Sequence, residues 1–133
     1  MRAVLDASAL LDALTDGPRA AQVDARLESE PELWAPHLID AEIGHVLRRA
    51  VLRDQLEATA ARAVLADLAD LPLRRASHVD LADGAWSMRH NVSYYDALYV
   101  ALAAALDAPL ITLDARLAAA PGLPVTVELL AAS

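Results

Sequence analysis

The sequence contains no cysteine, no lysine and no phenylalanine. Without cysteine, disulfides and thiolate metal sites are excluded, a composition that fits a reducing compartment. Without lysine, any chemistry that needs a lysine amine is excluded as well, and all 11 basic residues are arginine. Glycine is sparse, and Gly17, Gly44, Gly84 and Gly122 form neither a P-loop nor a dinucleotide fingerprint. The only aromatic residues are Trp34, Trp86, Tyr94, Tyr95 and Tyr99. No segment reaches the roughly 18–20 uninterrupted apolar residues of a membrane span. The opening Met1-Arg-Ala-Val-Leu-Asp6 carries a carboxylate where a signal peptide needs its apolar stretch, so a cytoplasmic protein without a membrane partner is expected. Basic surface is scarce too: the net charge is −8, which does not advertise nucleic-acid binding. The acids are either scattered over a solvated surface or gathered around a cation.

What is present suits one globular domain over residues 1–133. The 133 residues are 56% hydrophobic, which excludes a disordered chain, although much of that share is alanine and the core falls to Leu, Val and a few Ile. No internal repeat or linker-like tract interrupts the chain. Ala3–Leu5 reads as a buried strand ending at Asp6, followed by helices over Ser8–Leu14 and Arg19–Leu27. Leu33–Ala35 is a weak strand closed by Pro36. Apolar residues at Leu38, Ile39, Ile43, Val46, Leu47 and Val51 predict a helix over Leu38–Leu52. Further helices are expected over Gln55–Leu71, Val79–Met88 and Tyr94–Leu106, the last apolar almost all round. Strands are expected at Leu73–Ala76, Pro109–Leu113 and, at an edge, Val125–Val127. Strands alternating with helices predict an α/β domain with a mostly parallel sheet, whose ligands bind beyond the carboxyl ends of the strands. Asp6 and Asp114 fall at such ends.

Each candidate acid also has a plain structural role available. Asp6 and Asp114 stand between strand and helix, where Asp is a favoured N-cap. Ser93-Tyr-Tyr-Asp96 reads as a variant capping box, and Glu42 suits the first turn of its helix. Taken together they point further. Asp96 opens the most apolar helix, Asp6 follows an interior strand, and Glu42 sits on a helix that must pack on the sheet. Carboxylates crowded at the mouth of a buried sheet repel one another. A hard divalent cation, Mg²⁺ or Mn²⁺, resolves that repulsion through oxygen ligands, and the chemistry that follows is phosphodiester hydrolysis by one or two ions. Ser8 suits either a helix cap or a hydrogen bond to a ligating carboxylate or phosphate. Thr112 lies on the same side of its strand as Asp114 by the period of two, which an ordinary strand threonine also does. Arg48 and Arg49 are candidate RNA contacts, against the alternative of a solvated helix end. His37, His45, His78 and His90 share no metal-ligand spacing.

Four segments carry a family likeness: Val4-Leu-Asp-Ala-Ser-Ala-Leu-Leu11; Ala35-Pro-His-Leu-Ile-Asp-Ala-Glu42 with Val46-Leu-Arg-Arg49; Val92-Ser-Tyr-Tyr-Asp-Ala-Leu-Tyr-Val-Ala-Leu102; and Leu110-Ile-Thr-Leu-Asp114. In this order and spacing the chain resembles the PIN-domain family, and more narrowly its VapC-type ribonuclease toxins of bacterial toxin–antitoxin pairs. The resemblance implies a three-layer α/β/α fold and an acidic metal and catalytic cluster of Asp6, Glu42, Asp96 and Asp114. It also implies hydrolysis within RNA, a VapB-type antitoxin partner, and a homodimer or a toxin–antitoxin hetero-oligomer. Two positions depart from the family pattern: His45 stands where relatives often carry Asn, and Leu117 where an aromatic residue is common. A haloacid-dehalogenase-like phosphatase fits poorly, since Ser8 replaces the second Asp of that motif and its lysine is missing; a receiver domain fails on the same lysine. The competing reading is a non-catalytic module of the same fold that binds RNA or a protein.

Overall fold

The computed structural model describes residues 1–29 and 32–130. Strand β1 (Arg2–Leu5) is followed by α1 (Ala7–Thr15), α2 (Ala20–Leu27), β2 (Glu32–Pro36), α3 (Leu38–Leu52), α4 (Ala58–Asp70), β3 (Leu73–Ala76) and α5 (His78–Ser87). The chain continues through α6 (Tyr94–Leu106), β4 (Leu110–Thr112), α7 (Ala115–Ala119) and β5 (Val127–Leu129). The sheet has the order β3-β2-β1-β4-β5, and every pairing in it is parallel.

The expected α/β architecture holds, with some boundaries moved. The last strand begins at Val127 rather than Val125, because Val127 is the residue that pairs with Leu110. Helix α4 begins at Ala58 rather than Gln55. Asp54 adopts a left-handed φ of 57° and the Gln55 N–H bonds to the Ala50 carbonyl, so those residues close α3 instead of opening α4.

Helices cover the sheet. Helix α6 packs on β1, β2 and β4 and against α5, while α1 contacts β4, α2, α3 and α4, and α3 packs on β2. Seven consecutive residues of α6, Ala97–Ala103, are buried. This explains the apolar character of its sequence: a helix wedged between sheet and neighbour has almost no solvent face. Val4, Leu5, Ile39, Ile43, Leu98, Leu110 and Ile111 are among the large aliphatic residues at the centre of the core. Full burial of each such side chain contributes roughly 1.5–3 kcal/mol.

Candidate active site

β1 and β4 lie side by side, but the chain leaves β1 toward β2 on one flank and β4 toward β5 on the other. Such a reversal of strand order opens a crevice at the carboxyl ends. Asp6 stands at the end of β1 within it, and the register Leu5↔Ile111, carried one residue further, puts Thr112 beside it.

Asp6 is buried, with 7% of its surface exposed, and both of its oxygens are engaged. Oδ1 accepts the Ser8 hydroxyl at 2.6 Å and the Ala9 N–H at 3.1 Å; Oδ2 accepts the Thr112 hydroxyl. Thr112 Oγ1 in turn accepts the Asp114 N–H at 2.9 Å, and Ser8 Oγ accepts the Leu113 N–H at 3.0 Å. Two hydroxyls thus bind the turn after β1 to the turn after β4. Asp6 is the N-cap of α1, and Asp114 caps α7 by accepting the Arg116 N–H at 2.9 Å. The capping and carboxylate-holding readings of this turn are therefore both met. Ser8 spends its hydroxyl on Asp6, not on a helix N-terminus, and Thr112 is more than an ordinary strand threonine.

Glu42, half-buried on α3, accepts the Tyr99 hydroxyl at 2.5 Å through Oε1. Tyr99 is buried within α6, one turn after Asp96, so it ties Glu42 to the helix that carries Asp96. Ser93 caps that helix by accepting the Asp96 N–H at 3.2 Å.

The carboxyls of Asp6, Glu42 and Asp96 are all raised above the ordinary range, in each case chiefly by burial. They also act on one another: the charge of Asp96 raises Asp6 and Glu42, Asp6 raises Glu42, and Asp114 raises Asp96. Hydrogen bonds pull the other way, from Ser8, Thr112 and Ala9 on Asp6, from Tyr99 on Glu42, and from Ser93 on Asp96, where Arg116 helps. Burial, then the hydrogen bond to Glu42, lifts the Tyr99 phenol far above its usual range, so it remains a hydrogen donor.

Asp6, Glu42 and Asp96 therefore stand within electrostatic reach of one another, and Asp114 within reach of Asp96. Even so, among the described residues no three His, Asp or Glu side chains form a group that could hold an ion as they stand. Their oxygens are turned toward protein donors: Asp6 toward Ser8, Ala9 and Thr112, Glu42 toward Tyr99, and Asp114 toward Arg116.

Two residues of this region were not singled out in the sequence. Tyr99 was hidden in an apolar helix, although a phenol in such a helix needs a polar partner. Arg19, in the turn before α2, anchors its N–H on Asp12 Oδ2 at 3.0 Å and reaches the Leu113 carbonyl, beside Asp114, at 3.4 Å. Gly17 lets that turn close, since an added Cβ would stand 2.6 Å from Asp12 Oδ1. Arg48 and Arg49 are exposed at the far end of α3. Arg49, seven residues after Glu42, shares its face about two turns, or roughly 10 Å, further along. His78 is structural, its Nε2 accepting the Leu38 N–H at 2.9 Å, whereas His37, His45 and His90 are exposed. Leu117 is buried in the core.

The PIN domain profile matches residues 3–123. Ribonuclease VapC1 of Mycobacterium tuberculosis is 52% identical over 127 residues, covering 95% of this chain and 96% of that protein. Ribonuclease VapC9 of the same organism is 42% identical over 114 residues, covering 86% and 87%. Among solved structures, VapBC2 of Rickettsia felis, bound to a DNA fragment from its promoter, superposes with a TM-score of 0.68 at 13% identity, covering 98% of this chain and all of that one. No helix among the described residues is long and apolar enough to cross a membrane. By profile, sequence identity and fold, this chain belongs to the PIN-domain family.

Proposed function

We propose that this chain is a metal-dependent endoribonuclease, the VapC-type toxin of a toxin–antitoxin pair, acting as one domain over residues 1–133 in the cytoplasm. Its proposed partners are RNA and a VapB-type antitoxin, in a homodimer or a toxin–antitoxin hetero-oligomer; the VapC naming of its relatives supports this. The observation that carries the reading is the gathering of buried Asp6 and half-buried Glu42 and Asp96 around the end of β1, with the Asp6 and Glu42 carboxylates held by the Ser8, Thr112 and Tyr99 hydroxyls. Other carboxylates, not cations, are the charges that act on Asp6 and Glu42. An all-oxygen, like-charged donor set fits Mg²⁺ or Mn²⁺ and would be costly without one.

Asp6, Glu42, Asp96 and Asp114 would hold one or two such ions. When bound, the metal polarises the phosphate, makes a bound water more acidic and stabilises the leaving oxygen. The rest falls to the chain itself. Ser8 and Thr112 fix the Asp6 carboxylate and offset part of its burial cost, and Tyr99 does the same for Glu42. Arg19 and Arg116 place guanidinium groups beside the Asp114 turn, where a phosphate can be received in bidentate fashion. Arg48 and Arg49, exposed further along α3 from Glu42, are proposed as separate RNA contacts.

The test compares wild type with Asp96→Asn, free of antitoxin, on total RNA with Mg²⁺, Mn²⁺ or EDTA. The reading expects cleavage by wild type with metal only, and none by the variant. Metal-independent cleavage, or equal cleavage by the variant, would refute the mechanism, and no metal-dependent cleavage of any RNA would leave a binding module.

A further inference from the structure

Beside the acids, between α3 and the start of α6, lies a groove of about 480 Å³, a size that suits a small planar ligand. It is continuous with the acidic cluster. Ala7 in its wall directly follows Asp6, Tyr95 directly precedes Asp96, and Glu42 belongs to both. Ala41 and Val46 make it mainly apolar, and His45 adds an imidazole. Tyr95 is 60% exposed, so its ring face is open to a ligand in the groove. Its neighbour Tyr94 lines a different hollow with Trp86 on α5.

We propose that this groove is a nucleobase subsite: an unpaired base next to the scissile phosphate leaves its stack and lies against Tyr95, with its polar edge toward His45. The proposal rests on the ribonuclease reading and deepens it by adding a residue that selects the substrate. Three features of the groove favour a base. Its wall is shared with the cluster that would hold the phosphate, so a ligand bridging both must carry a ring close to a phosphodiester. The groove holds a carboxylate and no arginine, which disfavours a phosphate or an acidic peptide but accepts a neutral ring. An exposed tyrosine with an apolar floor is the arrangement on which single-stranded RNA bases stack. His45 offers a nitrogen donor or acceptor to a base edge.

The experiment uses short single-stranded RNAs carrying 2-aminopurine at successive positions around a mapped cleavage site. Fluorescence is read on the Asp96→Asn protein, and cleavage on proteins with Asp96 intact. The proposal expects quenching at one position flanking the cut, lost in Tyr95→Ala and kept in Tyr95→Phe. With Asp96 intact, kcat/KM should fall on the order of tenfold for Tyr95→Ala, and His45→Ala should change the base preferred at that position. Thermal unfolding of the Tyr95 variants should stay near wild type, because the ring is exposed. Wild-type cleavage with unchanged kcat/KM, site choice and quenching in Tyr95→Ala would overturn the subsite. Tyr95→Ala that weakens only antitoxin binding would assign the groove to a protein segment and overturn it too. If instead wild type fails to cleave any RNA while Tyr95-dependent quenching persists, the nuclease reading fails and the base site stands.

Discussion

Replacing Thr112 with valine keeps the shape of a fully buried side chain and exchanges its hydroxyl for a methyl. Asp6 Oδ2, which accepts that hydroxyl, and the Asp114 N–H, which donates to it at 2.9 Å, then lose that partner, as does Ser8 Oγ in a longer contact at 3.4 Å. A hydrogen bond to a charged group contributes about 1.5–3 kcal/mol and a neutral one about 1 kcal/mol, so the loss should be about 2.5–4 kcal/mol while Asp6 is charged. Thr112→Ser keeps the hydroxyl and should lose roughly 1 kcal/mol for the buried methyl. The pH dependence has a definite sign. The Asp6 carboxyl is raised in the folded state by burial, so its ionisation lowers stability as pH rises from its ordinary value near 3.8 through its folded value. Thr112 is among the groups that pull this value down, and Thr112→Val therefore pushes it further up. The gap between wild type and variant should be widest at the higher pH, where Asp6 is charged, and should narrow as pH falls and the carboxyl takes up its proton. Urea unfolding of the metal-free proteins across this pH range reads this directly. If Thr112→Val costs no more than Thr112→Ser, or the gap is independent of pH, the hydroxyl does not support a charged Asp6.

Asp96→Asn should make the metal-free protein more stable while abolishing metal-dependent cleavage, because it removes a charge that burial and Asp114 both disfavour; thermal unfolding alongside an RNA cleavage assay checks the pair. Tyr99→Phe removes the 2.5 Å donor to Glu42, and Mn²⁺ affinity measured by calorimetry should fall about 10- to 100-fold. An unchanged affinity would separate Glu42 from the metal. The bidentate Arg75–Asp40 pair links β3 to α3 with Asp40 partly in solvent. Asp40→Ala should therefore cost at most about 1 kcal/mol in urea unfolding and leave cleavage unaltered.

Much of this site could be read from the sequence because its acids sit where two periodicities meet. A short apolar run stopping at Asp6 or Asp114 marks a strand end, and an apolar helix opening at Asp96 marks a charge facing the sheet. Helices Leu38–Leu52 and Tyr94–Leu106 matched their expected limits for the same reason. What stayed hidden depends on partners far along the chain. Nothing local distinguishes Val125 from Val127 as the start of β5, which is set by pairing with Leu110. Thr112 acquires its role from Asp6, 106 residues away, and Tyr99 from Glu42, 57 residues away. Thr112 and Tyr99 also turn an oxygen of Asp6 and of Glu42 toward protein donors, where charge counting alone would have them converge.

The central claim, that these carboxylates form one cation site that cleaves RNA, is tested most directly by titrating Mn²⁺ into wild type, Asp6→Asn, Glu42→Gln and Asp96→Asn while cleavage is measured on the same preparations. The account predicts that wild type binds Mn²⁺ and cleaves, and that every variant loses affinity and activity together. Wild-type affinity retained in the variants, or cleavage that survives loss of the ion, would contradict it.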